Sequence, residues 1–205
     1  KINASLTLVL GVMTLMACSD SAPRDAAVSG EGESAPITPV AELPEGAQAL
    51  SFLGDPLYPP ELPEEVRAQR QEELEEAIQV LEVDPPDPEA IIWAGRRTAY
   101  LGDYRKAIEF FTLGVRAYPD DPRFYRHRGH RYITVRELDR AIADFRAAAD
   151  LIRGTEDRVE PDGQPNALGI PTSTLHFNIW YHYGLAHYLK GEFQEAVERY
   201  RECME

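Results

Sequence analysis

Apolar positions along this chain fall into three regimes. From Leu6 to Leu15 they crowd together behind Lys1, and over residues 19–60 they keep no period of 3.6 or 2. From residue 63 onward they recur at helical spacing. There Val66, Leu74, Ile78 and Leu81 form a stripe that predicts a helix over 63–83, with Glu64 and Glu65 at the positive end of its dipole. A longer period then takes over. Asp87-Pro88 returns as Asp121-Pro122, Gly95 as Gly129, Ala107 as Ala141 and Phe111 as Phe145, each 34 residues later. A third copy lies 55 residues beyond the second, with Gly184, Ala196 and Tyr200 in the same relative places. Self-similarity of this length marks a repeat array.

Each copy predicts two helices. Asp87 can cap a helix with Pro88 in its first turn, where a missing N–H costs nothing. That helix should run to Tyr100 and stop near Gly102, and Asp103 then offers a cap for a second one over 104–117, ended by Pro119. The second copy places helices at 122–134 and 138–151, and the third at 174–189 and 193–204. Small residues at Gly95 and Ala107 let the two helices approach closely, while Phe111 fills the space against the next pair. Cys203 falls where the earlier copies have Gly114 and Ala148, and it reads as a small buried packing residue.

The pattern resembles the tetratricopeptide repeat, a helix–turn–helix unit. Gly95, Gly102, Tyr104, Ala107, Phe111 and Pro119 carry the likeness in copy one. Gly129, Tyr132, Leu138, Ala141, Phe145 and Ala148 carry it in copy two; Trp180, Gly184, Gly191, Phe193, Ala196 and Tyr200 do so in copy three. Copy two departs from the pattern where Arg136 replaces the turn glycine and Arg153 the closing proline, and copy one has Thr98 where an aromatic is usual. The fold class expected is all-α, an antiparallel helix-pair solenoid of about three repeats plus an N-terminal helix. The repeat-like domain covers 61–205, with repeats at about 88–121, 122–153 and 174–205 and a loop insertion over 154–173.

The resemblance implies a superhelix whose first helices line a concave, peptide-binding groove. Equivalent positions give three rows: Glu89, Ile92, Arg96 and Ala99; Arg123, Arg126, His130 and Ile133; Asn178, Tyr181, Leu185 and Tyr188. Each row steps by three or four and so lies on one helical face. The candidate groove is therefore Arg96, Arg123, Arg126 and His130 beside Tyr181 and Tyr188. Arginine binds carboxylates bidentately, so this lining suits an extended protein or peptide segment, acidic in character. The lysine-and-asparagine clamp that some such domains use for C-terminal carboxylates is not reproduced.

Charge narrows the partners. The net charge is -14, and residues 40–90 hold fourteen acids against only Arg67 and Arg70. That excess argues against nucleic acid, whose phosphates reward clustered Lys and Arg. The Leu6–Leu15 run behind Lys1, followed by small Ala17, reads as a secretory signal peptide over 1–17, too short to span a bilayer of ~30 Å as a helix. Leu15-Met16-Ala17-Cys18 resembles the lipobox of bacterial lipoproteins, which implies lipid on Cys18 and anchorage in the cell envelope. Ser19 rather than Asp follows Cys18, which favours the outer membrane, facing the periplasm. Residues 18–60, rich in Ser, Ala, Gly, Pro and acid, are then expected to be a flexible tether, its one apolar patch (Phe52, Leu53, Leu57, Tyr58) packing on the first helix. The absent initiator Met suggests a trimmed sequence, and the end at Glu205 inside a helix suggests that the chain continues or is capped by a partner.

Catalytic chemistry finds little support. His182 and His187 are five apart and point to different helix faces; His127 and His130 are expected to be ordinary surface histidines. Neither a HExxH zinc motif nor a nucleophile elbow, a Gly-rich phosphate loop or a CxxC pair is present. Glu156, Asp157, Glu160 and Asp162 lack the spacing of a calcium loop. The sequence thus points to a non-enzymatic interaction module without cofactor or metal. Two rivals are the N-terminal scaffold of a larger envelope hydrolase and a self-associating structural module. The 154–173 loop, long and turn-rich, could fold over the groove or contact a partner.

Overall fold

Side-chain caps set the helix starts. Asp87 accepts a hydrogen bond from the Glu89 amide at 2.6 Å, Asp121 from the Arg123 amide at 3.0 Å and Thr174 from the Phe177 amide at 3.3 Å. A computed structural model describes residues 43–82, 87–161, 168–169 and 173–204. Within these lie a two-stranded hairpin, β1 (Ala49–Leu50) and β2 (Pro56–Leu57), and seven helices. The helices are α1 (Glu64–Leu81), α2 (Pro88–Tyr100), α3 (Tyr104–Ala117), α4 (Pro122–Thr134), α5 (Leu138–Ile152), α6 (Leu175–Lys190) and α7 (Phe193–Glu202). Each helix packs on the next in chain order, and the first helices of successive pairs also touch, α2 with α4 and α4 with α6. The expected all-α helix-pair array is the fold observed.

A glycine facing an aromatic ring sixteen residues later closes each pair. A Cβ at Gly95 would lie 2.5 Å from the Phe111 ring, one at Gly129 3.0 Å from Phe145, and one at Gly184 2.7 Å from Tyr200. Phe111 and Phe145 are fully buried, so the ring occupies the room that the missing side chain leaves. The apolar core follows the same division. One cluster gathers Ile91, Ile92, Phe111 and Phe124 between the first two pairs; the other gathers Tyr132, Ile142, Phe145, Ile152, Ile179 and Tyr183 between the second and third.

The three pair-internal turns are equivalent positions with unequal residues. Gly102 has φ 90° and Gly191 φ 82°, the left-handed conformation that glycine adopts without penalty. Arg136 holds the same place with φ 64°, the one non-glycine residue in that region among the described residues. Its guanidinium donates to the Ile133 carbonyl at 2.9 Å and lies 5.4 Å from the Phe52 ring centroid.

That ring belongs to the segment expected to be the end of a flexible tether packing on the first helix. Instead the hairpin folds on the repeat turns. Ala49 pairs with Leu57 and Leu50 with Pro56, and Ala49 is buried in the second core cluster. Arg105 Nε donates to the Gln48 carbonyl at 3.1 Å while its Nη1 reaches Glu137 at 3.0 Å, joining the hairpin to α3 and to the start of α5. Pro59 lies against Gly102, where a Cβ would come within 2.5 Å. Ala49 and Leu57 are covered by this packing, whereas Phe52, Leu53 and Tyr58 stay largely exposed. The expected signal peptide, Cys18 and the expected tether as far as residue 42 lie outside the described residues.

Candidate functional site

The faces of α2, α4 and α6 that meet each other carry an arginine cluster. Arg96 on α2 lies over the Trp93 ring at 4.6 Å, and its Nη2 donates to the Tyr100 hydroxyl at 2.9 Å. Arg126 on α4 is buried; its Nη1 meets His127 Nδ1 at 2.9 Å. Arg131 Nη2 meets His130 Nδ1 at 2.9 Å, with its guanidinium 5.6 Å from the Tyr104 ring centroid. A guanidinium only donates, so both histidines accept through Nδ1 and carry their proton on Nε2. His182 of α6 completes the lining, its ring 4.4 Å from that of His130 and its Nδ1 donating to the Asn178 carbonyl at 2.7 Å.

Burial and like charge act together on these rings. Desolvation, added to by the neighbouring arginines, holds His127 and His130 well below the ordinary imidazole range and brings His182 to about 4. All three are neutral at pH 7. Desolvation also lowers Arg126 to about 10, a value at which it still carries its charge. The expectation of surface histidines is corrected for both His127 and His130. The His127 ring stacks on Phe111 at 5.4 Å, supplied by the preceding pair, and a single helix's spacing does not reveal such a cover.

Into this cluster the insertion sends a carboxylate. After α5 the chain turns back, and Val159 forms an antiparallel bridge with Thr174 at the start of α6. The Glu160 amide donates to the Ser173 carbonyl at 2.9 Å, and the Leu175 amide to the Arg158 carbonyl at 2.9 Å. Glu160 is thereby driven between the helices, where only 8% of it is exposed, and its Oε2 accepts from Arg126 Nη2 at 2.7 Å. Glu160 borders two cavities of about 200 Å³ each. One is lined by Ile92, Trp93, Arg96 and Arg123, the other by Arg96, Tyr100, Arg126, His130 and Arg131.

The anticipated groove residues therefore divide. Arg96, Arg126 and His130 converge on one cavity. Arg123 borders the other, its guanidinium already engaged by Asp121 at 2.6 Å and by Glu89. Tyr181 and Tyr188 lie outside both cavities. Tyr181 stacks on Phe177 with centroids 5.7 Å apart, and Tyr188 packs against Phe193 at 5.6 Å. Sequence spacing missed His127, Arg131 and Glu160. Arg131 stands five residues after Arg126, about 140° around the helix, so helical spacing assigns the two to different faces and carries no signal for it. Cys203 is half-buried rather than buried, and burial pushes its thiol up to about 11, away from reactivity at neutral pH. Among the described residues no group of His, Cys, Asp and Glu is arranged to hold a metal ion.

Comparison with known proteins agrees with the helix pairs. Residues 177–205 match the tetratricopeptide repeat family. That match spans most of α6 and all of α7, one tetratricopeptide-type helix pair. No curated protein sequence matches the chain closely enough to count as a relative. Among solved structures it is similar to MamA, at 19% identity over 68% of this chain and 70% of that one, with a TM-score of 0.51. YrrB, described as a tetratricopeptide-repeat protein with an unusual peptide-binding site, matches at 15% identity over 68% of this chain, with a TM-score of 0.51; this chain spans 61% of its length. The first such domain of Spaghetti (RPAP3), bound to an HSP90 peptide, gives 20% identity over 60% of this chain and 80% of that one, with a TM-score of 0.47. At these identities the likeness is one of fold.

Proposed function

We propose that this tetratricopeptide-repeat chain is a membrane-anchored protein-interaction module of the bacterial cell envelope. It would be held by lipid on Cys18, at the outer membrane facing the periplasm, and would take an acidic segment of a protein partner into the groove between α2, α4 and α6. The observation that carries the groove reading is the Arg126–Glu160 pair at 2.7 Å, a carboxylate seated among the groove arginines of this chain itself. A site that holds one carboxylate in this geometry has the donors to hold another. The anchor reading rests on Leu15-Met16-Ala17-Cys18 and on the apolar run before it. Among the described residues no helix is long and apolar enough to cross a membrane.

The groove is tested by crosslinked capture from envelope extract with the full chain, comparing the parent with an Arg126→Glu/Arg131→Glu variant of equal helical content. A partner retained by the parent and lost by the variant supports the reading, whereas equal recovery from both sinks it. Labelled palmitate should enter the parent and not a Cys18→Ser variant; equal labelling of the two would remove the anchor.

A further inference from the structure

The hairpin divides its apolar residues between two surroundings. Ala49 and Leu57 pack on the repeats, but Phe52 and Leu53, in the loop between the strands, are 61% and 90% exposed. Leu53 is the most exposed large apolar side chain among the described residues. The loop that presents the two is closed on itself. The Ser51 amide donates to the Asp55 carbonyl at 2.7 Å and the Gly54 amide to the Ser51 carbonyl at 3.0 Å. Ser51 Oγ accepts from the Leu53 amide at 3.2 Å and from the Asp55 amide at 3.0 Å. Gly54, at φ 90°, closes the turn in a conformation that a side chain would oppose. Three successive amides, at Leu53, Gly54 and Asp55, are thus satisfied inside the loop. A backbone must meet that condition before it enters an apolar medium, where an unmet N–H is costly.

The neighbouring charges indicate which medium this is. Arg136 holds its guanidinium 5.4 Å from the Phe52 ring centroid, and its donors reach the Ile133 and Thr134 carbonyls rather than a carboxylate. Asp55, the one acid of the loop, lies at its base, 3.5 Å from the Ser51 hydroxyl. A cation beside an apolar wedge matches a phospholipid surface, where phosphates lie just outside the acyl chains. A protein partner fits less well. Phe52 and Leu53 expose on the order of 300 Å² of apolar surface, whereas one side of a specific protein interface buries about 800 Å².

We propose that the Phe52–Leu53 loop is a membrane-docking wedge, which enters the headgroup boundary of a phospholipid bilayer while Arg136 meets the lipid phosphates. The wedge is independent of the groove. To the anchor reading it adds a second contact, made by the folded domain itself, and either can fail without the other. Two apolar side chains hold a protein on a membrane only weakly, but a tether from Cys18 raises their effective concentration at the surface.

Residues 41–205 form one compact unit, so a chain starting at residue 41 tests the wedge apart from the apolar run and from Cys18. Flotation with vesicles of phosphatidylethanolamine and phosphatidylglycerol, three parts to one, gives its partition coefficient. Phe52→Ser/Leu53→Ser, at unchanged helical content, should lower that coefficient about thirtyfold. Met204→Ser, which alters another exposed apolar side chain, should leave it unchanged. Equal partition of the parent and the double variant, or an equal loss with Met204→Ser, overturns the wedge. A parent that stays off the vesicles overturns it too, and capture of a protein by a photoreactive residue at position 53 then assigns the loop to a protein partner. The full chain gives a second reading without any substitution. A phospholipid bearing a diazirine near the headgroup end of its acyl chain should label residues 48–58 on photolysis, and labelling that spares this segment refutes insertion.

Discussion

Individual residues here carry burdens that their type does not suit. Arg136 occupies a left-handed turn position where its two counterparts are glycines, and a side chain there costs about 1–2 kcal/mol. Arg136→Gly should therefore stabilise the protein by ~1 kcal/mol, less whatever the contacts to Ile133 and Phe52 return, read as a higher urea midpoint. A lower midpoint would mean that those contacts outweigh the backbone strain. The buried histidines carry the opposite sign of burden. His127, His130 and His182 stay neutral in the folded state below the ~6.5 at which they protonate when unfolded. As pH falls below 6.5 the unfolded chain binds the extra protons, and stability drops by up to ~1.4 kcal/mol per pH unit for each such ring. Above 6.5 the three contribute no slope. Urea titrations at pH 7 and pH 5 should separate clearly, and coincident curves would place these rings in water.

At the scale of elements, the junction of α3, α4 and α5 is held by one guanidinium. Arg128 gives two bonds to Asp144, at 2.8 and 2.7 Å, and one to Thr112 at 3.2 Å. Asp144→Ala leaves that charge buried without its partner and should cost about 3 kcal/mol by denaturant unfolding. A cost under ~1 kcal/mol would show water taking the carboxylate's place. The helices themselves were legible in the sequence, because Asp-Pro caps, turn glycines and the glycine–aromatic pairs recur at fixed offsets and each has a local cause. Arg96, Arg126 and His130 were legible as neighbours for the same reason, since one offset maps one helix face on the next. Other features had no such signal. Strands of two residues carry no period, and the surface that receives the hairpin is made of turns far away in the chain. His127 is buried by a ring from another repeat. Glu160 sits in a stretch whose turn residues announce a loop without saying where the loop goes.

On the scale of the molecule, the hairpin matters more than its size suggests. Repeat arrays draw their stability from neighbour-to-neighbour contacts. Gln48 and Ala49 add a tie across the first two pairs by meeting Arg105 on α3 and the core beneath Tyr132. A chain starting at residue 61, where the composition places the domain edge, should lose ~2 kcal/mol against one starting at residue 43, from lost burial of Leu57 and the lost Arg105 bonds. Equal melting of the two would reduce the hairpin to a passenger. The seat of Glu160 has a further consequence, in the response to ionic strength. Salt screens exposed charges strongly and buried ones much less. Arg126 and Glu160 are both buried, whereas Arg153 and Asp150 pair in the open. The stability lost in Glu160→Gln should therefore be the same at low and high salt, while any loss in Asp150→Asn should fade as salt is added.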